Sequence, residues 1–317
     1  MRQGLFAMRR ARWFDLVLLL LLLGTAWVVS TRLGRLDLGE AWEQIKQASL
    51  AWLVVAFVVA QSVFATQAMV LRAATTLHIR RLPAMLLQVA MKAISYTLPG
   101  ASGRITLDMR FLTKAGAAPG AAATTAGVEE AARGMARLIG LVVSLPVVGV
   151  ALGTAAKGVI PGRTALIIVT VVAIGVGIAL TSQQLRRWLA RQWAAARHTL
   201  NLIVSQSHRR LRIIGGSLAG EIVYATTLLL VAHAYGISLG LLEALAVTTA
   251  GALIASLLPA PAGVGSGEAG LITVLVALDV PAHSALALAV TYRIVTQYLP
   301  SLGGAAALLW LRRHDQI

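Results

Sequence analysis

Ten ionisable side chains stand inside long apolar stretches of this chain: Lys92, Arg104, Asp108, Glu129, Glu130, Arg133, Arg137, Glu221, Glu268 and Arg293. Near the centre of a membrane helix each costs about 2.5–3.5 kcal/mol, so the set facing lipid would cost on the order of 25–35 kcal/mol. They must be paired, lie at an interface, or face a polar space. Glu129, Arg133 and Arg137 follow one another at i, i+4 and i+8 and form one stripe along a helix, with Glu130 beside it. The stripe begins roughly 13 Å into its apolar segment at about 1.5 Å per residue, too deep to snorkel easily. Two readings stand: a salt-bridge ladder between helices, or a cavity wall that holds a zwitterionic or anionic headgroup.

Arg104 and Asp108 are spaced i, i+4 just after a glycine, with Arg110 and Lys114 beyond. They can make a local ion pair. Alternatively, Arg104 beside the free backbone donors of a half-helix starting near Gly103 makes an anion site, with Lys92 facing the same space. Ser266 is positioned to cap a second half-helix with Glu268 in its first turn, where a carboxylate suits the helix dipole. Arg293 lies about ten residues into its own apolar run, and a Glu268–Arg293 pair neutralises both. Bond-making chemistry has no such support. Gly263-Val264-Gly265 lacks the rest of a dinucleotide loop, Gly265-Ser266-Gly267 is not a nucleophile elbow, and no phosphate-loop lysine motif occurs. The histidines His78, His198, His208, His233, His283 and His314 never fall at metal-binding spacing. No enzyme, cofactor or metal is expected.

The elements that must position these groups are membrane helices. Of 317 residues 58% are apolar and only 13% charged, and mean hydropathy is +0.78, which excludes a disordered chain and argues against a soluble enzyme. A net charge of +16 alone would also suit a nucleic-acid binder, but the apolar fraction decides for the membrane, and no nucleic-acid partner is expected. There is no cysteine, so the redox compartment cannot be inferred. Against the ~20 residues needed to cross the hydrocarbon, full spans are expected near 14–30, 50–72, 120–152, 164–181, 213–235 and 283–311. The first follows Arg2, Arg9, Arg10 and Arg12 with no small-residue cleavage site after it, so it reads as a retained signal anchor.

Two further apolar stretches, 84–116 and 241–280, are each interrupted, by Leu98-Pro99-Gly100-Ala101-Ser102-Gly103 and by Leu258-Pro259-Ala260-Pro261-Ala262-Gly263-Val264-Gly265. Each reads as a broken re-entrant hairpin of two short arms, although a pair of complete spans preserves the same parity. The basic segments 1–12, 72–81, 183–212 and Arg312-Arg313 then fall on one side, and the positive-inside rule places both termini in the cytoplasm. The expected fold is therefore all-α: a single polytopic transmembrane domain over 1–317, with six full spans and two hairpins.

Span, broken hairpin and span recur at 50–152 and 213–311, with Pro99 and Pro119 in one unit answered by Pro259 and Pro281 in the other. The units start on opposite sides, which makes an inverted repeat of the kind that places a substrate near the midplane. The segment 183–212 carries Trp188, Trp193, seven arginines and no acid. It reads as a cytoplasmic amphipathic helix on anionic headgroups.

The stretch from Leu258 through Glu268-Ala269, followed by Tyr292-Arg293 and Tyr298-Leu299-Pro300 with Gly303, resembles the C-terminal signature of the flippase-like family related to the transmembrane region of lysylphosphatidylglycerol synthases. Leu98-Pro99-Gly100, Gly103-Arg104, Arg110 and Leu112, with Glu129 beyond, are similar to its N-terminal motif. The resemblance covers about residues 14–311 and implies an inner-membrane protein, bacterial and multi-pass, that moves a lipid between leaflets. The cargo it implies is a phospholipid, an aminoacylated phospholipid or an isoprenoid-derived lipid, polyprenyl-linked or hopanoid. By this resemblance Glu268 and Arg293 carry over from the second motif, and Arg104 or Arg110 with Glu129 from the first. Ala101-Ser102-Gly103 stand where an acidic residue is usual, and Ser266-Gly267 replace bulkier residues, which leaves the lipid open. The substrate site is expected at Lys92, Arg104, Asp108, Glu129, Arg133, Arg137, Glu268 and Arg293. A membrane anchor or accessory subunit for a lipid-modifying enzyme is the alternative, and a homo-oligomer is compatible with either.

Overall fold

The structure is a computed structural model and describes residues 38–94, 102–158, 207–257 and 265–317. The expected spans over 14–30 and 164–181, residues 183–206 of the Arg-rich stretch, and the breaks at 98–101 and 258–264 lie outside the described residues. Within them the chain is wholly helical, as its apolar composition demands.

A short helix α1 (Leu38–Gln47) precedes the long α2 (Leu50–Ala74). Two short arms follow, α3 (Arg81–Ile94) and α4 (Ser102–Lys114), and then the forty-residue α5 (Pro119–Gly158). A second series begins with α6 (Ser207–Ala234) and continues through the arms α7 (Leu241–Leu257) and α8 (Ser266–Ala277). It ends in α9 (Ala282–Arg293), a π-helical turn Ile294–Tyr298 and α10 (Leu299–Arg313). Among the described residues three stretches are long and apolar enough to cross a membrane: Leu50–Ala74, Ser207–Ala234 and Ala282–Arg313. Val58, Leu138, Val142, Ile222, Leu302 and Leu309 are exposed on these helices and α5, as suits surfaces solvated by lipid.

Lipid tails are as apolar as leucine, so helix association rests on close backbone approach and polar contacts. The central contact is α2 on α6, where Ala56 and Ala60 are buried and a Cβ on Gly216 would fall 2.8 Å from Val70. The arms α7 and α8 cross backbone to backbone: a Cβ on Gly270 would lie 2.1 Å from the Gly251 carbonyl oxygen. α10 packs on α3, where Gly304 meets the Val89 carbonyl, and α5 packs on α4, α6 and α7.

Three details add to or differ from expectation. Residues 32–49, between the first two expected spans, carry balanced charge, and α1 lies there and packs on α9, with Gln44 Nε2 donating to Ser284 Oγ at 3.2 Å. The helix expected from 213 begins at Ser207, so Arg209, Arg210 and Arg212 belong to α6; Arg209 donates to the Thr75 carbonyl at 2.8 Å. The last span is not one continuous α-helix. Pro300 has no N–H to offer the preceding turn, and the chain widens into a π-turn just before it.

Candidate functional site

The charged side chains gather in two places where a short arm meets the helix after it. α4 opens Ser102-Gly103-Arg104 and α8 opens Ser266-Gly267-Glu268. In each, the third residue reaches an opposite charge on the following helix: Arg104 Nε lies 3.4 Å from Glu130 Oε1, and Arg293 Nε lies 3.2 Å from Glu268 Oε1.

At α8 the carboxylate is saturated. Glu268 Oε2 accepts from the Gly265 N–H at 2.8 Å, and Oε1 takes both Arg293 and the Tyr298 hydroxyl. The cap of α8 is Gly265, not Ser266 as expected. The turn needs φ +86°, a region that glycine enters without penalty, and Ser266 is carried into the helix and buried. The guanidinium of Arg293 lies flat against Gly267, where a Cβ would fall 2.9 Å from Cζ, and stands 5.7 Å from the Tyr298 ring centroid. The missing side chain at 267 is what admits the arginine. The π-turn brings Tyr298 to the same carboxylate.

At α4 the balance is different. Glu130 alone takes both guanidiniums, Arg104 and, at 3.2 Å, Arg133. Glu129 is fully buried with an ion contact of 3.8 Å to Arg133, and Asp108 is 1% exposed. Neither Glu129 oxygen has a hydrogen-bond partner, nor have Asp108 Oδ1, Arg104 Nε and Nη2, or Arg133 Nε. The i, i+4 pairing of Arg104 with Asp108 does not form; Arg104 turns to α5 instead. Such a set of unmet buried donors and acceptors is rare in a finished helix contact.

Between the two places stands Lys92. It is buried, and its ammonium donates to Tyr224 Oη at 3.2 Å and to Gln297 Oε1 at 3.1 Å, joining α3, α6 and the π-turn. The Tyr224 ring centroid is 5.5 Å away and that of Phe64 6.0 Å. Arg137 leaves the stripe and pairs with Glu221 of α6 at 3.4 Å. Arg104, Asp108, Glu129 and Arg133 thus form one cluster, Glu268 and Arg293 another, and Lys92 and Arg137 tie the first series of helices to the second.

Sequence reasoning missed Tyr224, Gln297 and Tyr298 as members of this network. Their signal was present, in single hydrogen-bonding side chains within otherwise apolar runs. Among the described residues no group of three His, Asp or Glu is placed to hold a metal ion. A shallow apolar groove lined by Ile294, Tyr298, Leu299, Ser301 and Leu302 runs beside the second cluster and includes Tyr298.

The family model described as the lysylphosphatidylglycerol synthase TM region matches residues 13–304. No curated protein matches the chain.

Proposed function

The chain belongs to the family of the lysylphosphatidylglycerol synthase transmembrane region, a membrane protein family tied to lipid, and on that premise we propose that it is a lipid flippase rather than an enzyme. It moves a phospholipid, an aminoacylated phospholipid or an isoprenoid-derived lipid between the leaflets of a bacterial inner membrane, with both termini in the cytoplasm. The observation that carries this reading is the α4–α5 cluster: buried guanidinium and carboxyl groups with unmet hydrogen bonds, offered to something polar that enters the membrane. Arg104 and Arg133 take the phosphate, and Glu129 balances them or receives an amine. Acyl or isoprenoid tails stay in lipid, and the groove beside Tyr298 gives them an apolar wall.

Movement comes from rocking of two inverted repeats. Support for the repeat is the order of elements, α2 to α5 and α6 to α10, and the matching of their contacts. α4 on α5 is answered by α8 on α9, α3 on α10 by α7 on α5, and α2 on α3 by α6 on α7, while α2 and α6 face each other. Lys92, bonded to both series, and the Glu268–Arg293 pair act as the latches between rocking positions.

Reconstituted in proteoliposomes, the protein should expose fluorescent or aminoacylated lipid to a reagent outside, and Glu268→Gln or Arg293→Ala should abolish that exposure while the helical circular dichroism is kept. Normal flipping by both variants overturns the latch assigned to Glu268 and Arg293, and a wild type inert toward all three lipid classes overturns the function. One observation favours a second reading, a non-transporting accessory subunit: the Glu129–Arg133 contact is dry, as a purely structural ladder would be. That reading predicts no lipid movement by the wild type.

A further inference from the structure

The α4–α5 cluster holds two guanidiniums, Arg104 and Arg133, and three carboxyls, Asp108, Glu129 and Glu130. Glu130, about a third exposed, has both cations within 3.4 Å. The other two acids are the dry ones. Asp108 has an oxygen with no donor, and Glu129 has two. An ionised carboxylate with no donor in an apolar surround is costly, and a carboxyl so placed relieves that cost by keeping a proton.

Among the described residues, these neighbouring ionisable groups are engaged elsewhere. On α3, Lys92 is spent on Tyr224 and Gln297; on α5 and α6, Arg137 and Glu221 neutralise each other. Arg72 of α2 binds the Ile79 carbonyl, Glu243 of α7 the Gly240 N–H, and Glu268 of α8 is held by Arg293. With two positive charges against three negative ones, one proton restores neutrality.

We infer that Asp108 and Glu129 together hold one exchangeable proton, and that a second proton enters with an anionic headgroup and leaves with it, so that lipid movement is coupled to protons. The coupling rests on the flippase reading above; the resident proton does not. Arg104 Nη2 has no hydrogen-bond partner and is open to a phosphodiester, while Nε keeps its 3.4 Å ion contact with Glu130. Once it does so, part of its charge is withdrawn from the carboxyls, and the remaining ionised member of the Asp108–Glu129 pair takes a proton from the side on which the headgroup entered. Release on the far side returns both. Only O–H bonds form and break, and each crossing carries one proton per negative headgroup.

Infrared spectroscopy of the purified protein in lipid nanodiscs reads the resident proton directly. A protonated-carboxyl C=O band should be present at neutral pH, shift in D2O, and be lost in the Asp108→Asn/Glu129→Gln double variant. Should the double variant fail to fold, each single variant should weaken the band. A wild type without the band, or a band unchanged by these substitutions, overturns the proton site. In proteoliposomes a gradient of about two pH units should bias a tracer anionic phospholipid toward the alkaline side by up to about a hundredfold at one proton per lipid. Lipid that moves without such a bias overturns the coupling. A protein that keeps the band yet moves no lipid confirms the proton site and overturns both flippase and coupling.

Discussion

The α4–α5 and α8–α9 junctions carry the same device with its sign reversed. Each arm begins Ser-Gly, each places its next residue against an opposite charge on the following helix, and one offers arginine to glutamate where the other offers glutamate to arginine. Their surroundings differ. Every oxygen of Glu268 is occupied, by Arg293, Tyr298 and a backbone N–H, whereas around Arg104 carboxyls outnumber guanidiniums and several atoms have no partner. A satisfied buried pair fixes geometry, and an unsatisfied one is available for binding. On the flippase reading proposed above, the second junction latches and the first binds headgroup and proton.

The sharpest way to break this assignment is to unbalance the satisfied pair. Arg293→Ala leaves Glu268 buried without its cation and should destabilise the protein by about 3–5 kcal/mol, read as a lowered midpoint in thermal or denaturant unfolding. The swap Glu268→Arg with Arg293→Glu should recover part of that loss, because the first junction already works with this polarity. Failure of the swap to exceed Arg293→Ala would show that the surroundings, not the pair, set the sign.

A smaller effect is expected from Gly267→Ala, whose methyl group would meet the Arg293 guanidinium. Overpacking of this kind costs about 1–3 kcal/mol, and it should be relieved in the Arg293→Ala background, where double-mutant coupling measures it. The smallest stability effect belongs to the first junction. Glu130→Gln removes an excess negative charge from a cluster that has one too many, so it should change stability by under about 1 kcal/mol while slowing lipid movement. A loss as large as that of Arg293→Ala would erase the distinction between the junctions.

Much of this architecture could be read from the chain alone, for reasons that differ by element. α2, α5 and α6 declare themselves by length and apolarity, and the arms by the proline–glycine breaks around Pro99 and Pro259. The Glu268–Arg293 pair was legible because each was the natural means of neutralising the other. Arg137 with Glu221 was not, since nothing in the spacing of two distant helices says which stripes will face. Nor were Tyr224 and Gln297, because a single hydroxyl or amide barely changes the hydropathy of an apolar run. α1 escaped notice because it is short and polar, with Glu40, Glu43 and Lys46 in ten residues, and a change of helical pitch at Ile294–Tyr298 leaves no trace in composition.

That pitch change has a consequence for the lower part of the molecule. A π-turn amounts to one residue more than an α-helix would use, and one residue is about 100° of rotation. Everything from Leu299 onward is therefore set to a different azimuth from α9. Were the same residues wound as regular α-helix, Gly304 would turn by about 100° out of its seat against Val89 and present a bulkier neighbour to α3. The inserted residue is thus a phase correction that lets one continuous rod serve two partners, an acid above and a helix backbone below.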